Sequence, residues 1–315
     1  MGILIILKNM SVILLMAFMG YVLYKKGILE ETTNKKLSAL VVDLCNPALS
    51  IACIIEDKIT ATHQEILQAV GISIGIYGIL ILLGSILPKL LRIEKGEEKF
   101  YHMMTVYTNV GFIGLPLARA MLHGDAMLYV IIFNVLYSLF FYTHGYFIMG
   151  KKKERTENEE NAVEKKQARH RFSLNLGMIS GIASIMIVWF ELPIPEIIGN
   201  VCIYTGDANT FLAMILLGAS VAAVSFKQLF SNKKLYGFLG LRMLLVPMAA
   251  AFLLKAVKVD QNMVLAFTLM LSMPMASMPL MLAERNGEDT RILSQGIAIS
   301  TVVSFATITL VLGMV

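Results

Sequence analysis

The chain has 315 residues, of which 57% are hydrophobic and only 16% charged, with a formal net charge of +5 and a mean hydropathy of +0.71. Its apolar residues come in blocks of about 20 separated by short charged clusters, the length a helix needs to cross hydrocarbon. The positive balance reports membrane topology and excludes nucleic-acid binding, because no groove-reading motif or interleaved aromatic pattern accompanies the bases.

Period-2 alternation is rare, which argues against a barrel, and backbone groups inside lipid must pair internally, so the blocks are read as helices. The sequence predicts ten spans, at 3–24, 36–56, 65–88, 99–123, 126–149, 172–190, 197–224, 234–256, 262–284 and 290–313. The first is too long, and lacks the small-residue site, for a cleaved signal peptide. Span two holds Asp43 and Asn46. An acid within hydrocarbon costs about 2.5 to 3.5 kcal/mol at the centre, which makes Asp43 a candidate proton carrier or cation ligand; reaching the interface near Lys36 is the alternative. Span four carries Asn109-Val-Gly111-Phe-Ile-Gly114-Leu-Pro116 at mid-membrane, and then Arg119. Arg119 either pairs with an organic anion or snorkels to the outer face.

Gly150 to Arg171 is the one stretch that reads as soluble, a linker between spans five and six. Span seven holds Asp207, a second candidate for proton or cation coupling, and Asn209. Span eight holds Arg242, the one base well inside a span and a second candidate for anion pairing. Span nine carries Ser272-Met-Pro274-Met-Ala-Ser277-Met-Pro279 and closes on Glu284 and Arg285. His102, His123 and His144 are expected to be satisfied structural residues. The three cysteines, Cys45, Cys53 and Cys202, lack metal-like spacing. Neither a metal nor a cofactor is expected.

An offset of 163 residues, the separation of Pro116 from Pro279, also brings Leu117, Ala120 and Gly124 onto Leu280, Ala283 and Gly287, and Asn46 and Leu49 onto Asn209 and Leu212. The chain is therefore read as a first five-span repeat at 1–150, a linker at 151–171 and a second repeat at 172–315. Five is odd, so the second repeat enters the membrane inverted. Most of the 27 basic residues lie in the connections after spans one, three, five, seven and nine. The positive-inside rule then puts both termini outside the cytoplasm and the 150–171 loop within it, in a multi-pass protein of the cytoplasmic membrane.

Proline inside a helix costs about 3 kcal/mol, and lipid cannot hydrate the freed backbone. Paired interruptions in spans four and nine therefore predict a cavity or an internal partner. Pro116 and Pro279 suit the first turn of a new half-helix, with Gly124 and Gly287 as stops. In inverted copies the two new N-termini approach each other, each bearing about half a positive charge, and form an anion site. Its expected lining is Asn109, Gly111, Gly114, Pro116, Ser272, Pro274, Ser277 and Pro279, together with the repeat-matched Asn46 and Asn209, and with Thr108 beside them. Asn109 and Ser272 either bind the ligand or cap the first half-helices.

Asn109-Val-Gly-Phe-Ile-Gly-Leu-Pro116-Leu, Gly206-Asp207 with Leu212-Ala-Met-Ile-Leu-Leu-Gly218-Ala-Ser220, and Met273-Pro274 leading to Leu282-Ala-Glu284-Arg-Asn-Gly287 together resemble the auxin efflux carrier family over essentially the whole chain. The resemblance implies an all-α, ten-helix, five-plus-five inverted fold like that of bile-acid symporters and sodium/proton antiporters, with crossed, broken helices four and nine. It also implies a scaffold of spans 1, 2, 6 and 7, often dimeric, and a moving domain of spans 3–5 and 8–10 working as an elevator. Bacterial members are commonly described as malonate or malate transporters. The plant carriers' Asn-Pro-Asn crossover is replaced here by glycines and apolar residues, so auxin is not the expected substrate.

The sequence thus predicts a secondary transporter of a small organic anion, embedded in lipid, with Na⁺ or H⁺ coupling open and a homodimer implied by the resemblance. A cation antiporter or Na⁺-coupled symporter on the same fold is the alternative. It would need an acid at the crossover, and neither break contains Asp or Glu. A membrane enzyme is disfavoured because no His-Glu-x-x-His or comparable set occurs, and no phosphate loop points to nucleotide-driven pumping.

Overall fold

A computed structural model describes residues 3–57, 59–150, 176–223 and 233–315, and among them every regular element is a helix. The expected linker at 151–171 and the start of the sixth span lie outside the described residues. The helices in chain order are α1 (Ile3–Lys25), α2 (Glu31–Glu56), α3 (His63–Leu90), α4 (Glu98–Val106), α5 (Val110–Met121) and α6 (Asp125–Met149). They continue as α7 (Leu176–Trp189), α8 (Glu196–Ala223), α9 (Lys234–Ala256), α10 (Gln261–Leu271), α11 (Met278–Arg285) and α12 (Arg291–Gly313). Seven of them, α1, α2, α3, α6, α8, α9 and α12, are long and apolar enough to cross a membrane, while α5, α7 and α10 are shorter apolar helices.

Local chemistry sets the ends. Thr62 and Glu65 form a reciprocal capping box at the start of α3, satisfying N–H groups that the first turn leaves bare. Asp260 accepts from the N–H groups of Asn262 and Met263 to open α10. Gly124 and Gly287, the expected stops, both have positive φ, 59° and 69°.

Four helices contain a widened π-turn, at Val41–Cys45, Val110–Gly114, Phe141–Gly145 and Leu241–Leu245. Three of these turns stand directly before Pro47, Pro116 and Pro247. Proline cannot donate to the carbonyl four residues earlier and its ring presses on that carbonyl. The chain answers by bonding one residue further on: Asn46, Leu115 and Val246 donate to Val41, Val110 and Leu241. Such turns redirect side chains and recur at functional sites. Here they hold Asp43, Gly111, Gly114, His144 and Arg242.

Two sets of helices pack together, joined by α7 against α6 and α1 against α12. In one, α1 runs along α8, and α2 packs on α8 and α7. In the other, α3 packs on α4 and α6, α10 on α6, and α9 on α10. Helix α6 is at the centre, buried continuously from Ala126 to Ser138, as a helix apolar on every face must be. Around it Tyr77 stacks on Phe133 and Phe140 with ring centres 4.9 and 5.0 Å away. Helices α1 and α8 touch at backbone distance: a Cβ on Gly20 would lie 2.0 Å from the Ile215 carbonyl oxygen, and one on Gly218 only 1.7 Å from that of Ala17. Close approach through small residues is how helices associate where lipid supplies no hydrophobic drive. Leu14, Leu15 and Phe18 of α1 and Leu67, Ile79 and Leu82 of α3 are exposed, outward faces suited to an apolar solvent.

Candidate functional site

Two interrupted helices meet in the interior. Helix α4 ends at Val106 and the chain turns extended through Tyr107 before α5 begins at Val110. Helix α10 ends at Leu271, and α11 begins at Met278. The two open segments cross antiparallel with Thr108 opposite Met275. The Asn109 N–H donates to the Pro274 carbonyl at 2.8 Å, and the Ala276 N–H to that of Tyr107 at 3.2 Å. The Met275 N–H donates to the Ser300 hydroxyl at 3.0 Å, and the Thr108 hydroxyl to the Met270 carbonyl at 3.2 Å. Backbone groups freed by the breaks are thus paired inside the protein, as a span at membrane depth requires.

Asn109 is a cap, but of the helix that follows it. Its side-chain oxygen accepts from the Phe112 N–H at 3.2 Å, so it closes the second half-helix and not the first, because a side-chain acceptor serves the free N–H groups at the start of a helix. Ser272 turns the other way and donates to the Thr268 carbonyl at 2.7 Å in the last turn of α10. Pro116 and Pro279 occupy opening turns of their half-helices. Ser277 precedes α11 without a side-chain cap bond. Asn109, Gly111, Phe112, Ser277 and Met278 are partly exposed, whereas Ser272, Pro274 and Gly114 are buried.

Two asparagines connect this crossover to the other packing group. Asn209 of α8 donates through Nδ2 to Oδ1 of Asn46 at 2.8 Å, and Asn46 of α2 donates to the Gly111 carbonyl at 3.2 Å. The residues paired by the sequence offset are therefore in direct contact.

Arg242 lies under the crossover, fully buried. Its Nε donates to the Thr105 carbonyl at 2.6 Å and its Nη1 to the Leu271 carbonyl at 2.9 Å. These oxygens belong to the C-terminal turns of α4 and α10, where the helix dipoles place partial negative charge. One guanidinium thus serves both ends, a task suited to its rigid fork. With both C-termini answered, the charge that remains at the crossover is the positive one at the starts of α5 and α11, where Asn109 answers a single N–H of α5. Nη2 has no partner among the described residues.

The remaining candidates lie elsewhere. Arg119 at the far end of α5 forms ion pairs with Glu56 and, at 3.5 Å, with Asp57, so its charge is already engaged by α2. Asp43 and Asp207 are exposed and make no bond to a crossover residue. Two histidines expected to be satisfied structural residues are brought together: His102 of α4 and His144 of α6 have their Nε2 atoms 3.3 Å apart. They stand 42 positions apart, and no spacing rule links them.

The sequence profile of the family described as membrane transport protein matches residues 5–312. No curated protein matches the chain.

Proposed function

The chain belongs to the membrane transport protein family of the auxin efflux carrier type, and from that premise we propose that it carries a small carboxylate, such as malonate or malate, by elevator-type alternating access. The observation that carries this reading is Arg242 on the carbonyls of both Thr105 and Leu271. Neutralising two C-termini leaves the half-helix N-termini to act on an anion. No acid stands in either break, which disfavours the cation-carrier alternative.

In this reading the seven long helices and the shorter apolar ones amount to ten crossings, with α4–α5 and α10–α11 each forming one. The contact between Asn46 and Asn209, 163 positions apart, supports an inverted repeat with its pseudo-twofold axis through the crossover. The scaffold is α1, α2, α7 and α8; the moving domain is the rest. Both termini face away from the cytoplasm, in the cytoplasmic membrane. The two ends of the site are unequal: α5 is seated on α1, α2 and α8, whereas α11 packs mainly on α4, the end of α6 and α12. That asymmetry suits a carrier closed at the Arg119 end and open at the α11 end.

The test is thermal stabilisation of purified protein by mono- and dicarboxylates, followed by vesicle uptake of any that bind. A ligand at one hundred times its Kd adds about 2.7 kcal/mol. Asn109→Asp discriminates, since aspartate caps as well as asparagine but adds a negative charge at the anion site. Stability is expected to hold while carboxylate stabilisation falls at least tenfold in apparent Kd. Unchanged carboxylate affinity in Asn109→Asp would remove the half-helix N-termini from the site.

A further inference from the structure

Tyr107, His144 and His102 form a hydrogen-bonded chain that leads away from the crossover. The Tyr107 hydroxyl lies 2.9 Å from the Phe140 carbonyl and 2.9 Å from His144 Nδ1. A phenol has one proton. If it goes to the carbonyl, which can only accept, His144 must present N–H at Nδ1. The neutral His144 ring then has a bare Nε2, which receives the proton of His102 Nε2 across 3.3 Å. His102 Nδ1 is the one ring nitrogen left bare. It is packed against Gly84, where an added Cβ would sit 3.0 Å from it. One extra proton on the pair makes every ring nitrogen a donor or a matched acceptor.

We propose that the His102–His144 pair is the proton-carrying site of this transporter, so that a dicarboxylate moves together with one proton. The proposal rests on the carboxylate reading above and deepens it. Loading forms one N–H bond at His102 Nδ1, the one bare ring nitrogen, with the proton taken from water; unloading breaks that bond and returns the proton to water. The charges then balance. Arg242 is the one buried arginine, lysine or carboxylate among the described residues and contributes a fixed +1, the loaded pair contributes +1, and a dicarboxylate contributes −2. A load of zero net charge avoids the cost of carrying charge past hydrocarbon. The link to the substrate is Tyr107, whose hydroxyl ends the chain and whose carbonyl accepts the Ala276 N–H of the crossing segment.

The surroundings leave the pair free to exchange its proton. Tyr107 is the titratable group in contact with the pair; Tyr137 packs on Tyr107 and Tyr77 on Phe140, while Tyr101, Tyr142 and Tyr146 stand within two residues of one ring or the other in the chain. Glu98 stands one turn before His102 on α4, Lys89 near the end of α3 is exposed, and so are Glu284 and Arg285 of α11. Lys99 pairs with Glu288, and Arg291 at the start of α12 pairs with Asp289. No ion pair to either ring is formed among the described residues.

Protein labelled with ¹⁵N-histidine in lipid nanodiscs tests the proposal, with the two rings assigned by loss of signal in His102→Gln and His144→Gln. The rings are expected to take up one shared proton between about pH 5 and 8. Saturating malonate is expected to move that midpoint upward, by about one pH unit for each tenfold of coupling, because linkage is reciprocal. Rings that stay silent over this range, or a midpoint unmoved by malonate whose binding is seen by thermal shift, would overturn it. If thermal shift detects no carboxylate binding to the wild type, the anion reading fails and the coupling falls with it, an outcome distinct from a silent pair.

Discussion

Asn46 and Asn209 carry more than their size suggests. Asn46 uses both ends of its amide, accepting from Asn209 and donating to the Gly111 carbonyl, and thereby joins three helices. A buried hydrogen bond contributes about 1 kcal/mol net, but leaving its partner bare costs about 1 to 3 kcal/mol. Asn46→Ala strands both the Asn209 amide and the Gly111 carbonyl, whereas Asn209→Ala strands only one side of Asn46. Asn46→Ala is therefore expected to be the more damaging, and the double variant no worse than Asn46→Ala alone. A double-mutant cycle on detergent unfolding reads this; additive losses would mean that the two side chains do not interact. The sequence singled out both residues by their offset. That they touch could not be read there, because an offset gives equivalence and not distance.

At the scale of elements, proline and glycine do opposite work. Pro47, Pro116 and Pro247 stand after widened turns, of which the one in α9 holds the buried Arg242 and the one in α2 the exposed Asp43. Gly20 and Gly218 instead bring α1 and α8 together. Gly218→Ala would put a methyl group 1.7 Å from the Ala17 carbonyl oxygen, so the helices must part, at a cost of about 1 to 3 kcal/mol. Gly237→Ala on α9 meets nothing within 4 Å and is expected to gain up to about 1 kcal/mol from helix propensity. Opposite shifts in melting temperature are the expected signature, and equal ones would refute the backbone contact. The interruptions at Pro116 and Pro279 were legible in the sequence as proline and glycine at mid-span. The widened turns at Val41–Cys45, Phe141–Gly145 and Leu241–Leu245 were not foreseen, the second because no proline marks it.

At the scale of the whole molecule, the ion pair of Arg119 with Glu56 and Asp57 fastens the far end of α5 to α2, and under the proposed alternating access it would hold that end closed. These side chains are between 12% and 29% exposed, so the cluster is screened and contributes about 1 kcal/mol. That is enough to shift a balanced two-state carrier by about fivefold. Glu56→Gln with Asp57→Asn should release α5 and raise labelling of a cysteine at position 109 by an impermeant maleimide added from the Arg119 side. The background replaces Cys45, Cys53 and Cys202 by serine. Labelling unchanged from that side would show that the cluster does not hold the carrier closed.

The sequence by itself determined the solvent, the helices and the family, because apolar blocks long enough to span hydrocarbon leave a chain few alternatives. It also marked both interruptions, since proline cannot complete a helix wherever it falls. The tertiary structure decided which charges are available. It placed Arg242 on two helix C-termini, tied Arg119 to α2 and left Asp43 and Asp207 exposed. It also brought two histidines from different helices within 3.3 Å of each other. A charge acts through what lies within a few ångströms of it, and those neighbours come from distant parts of the chain.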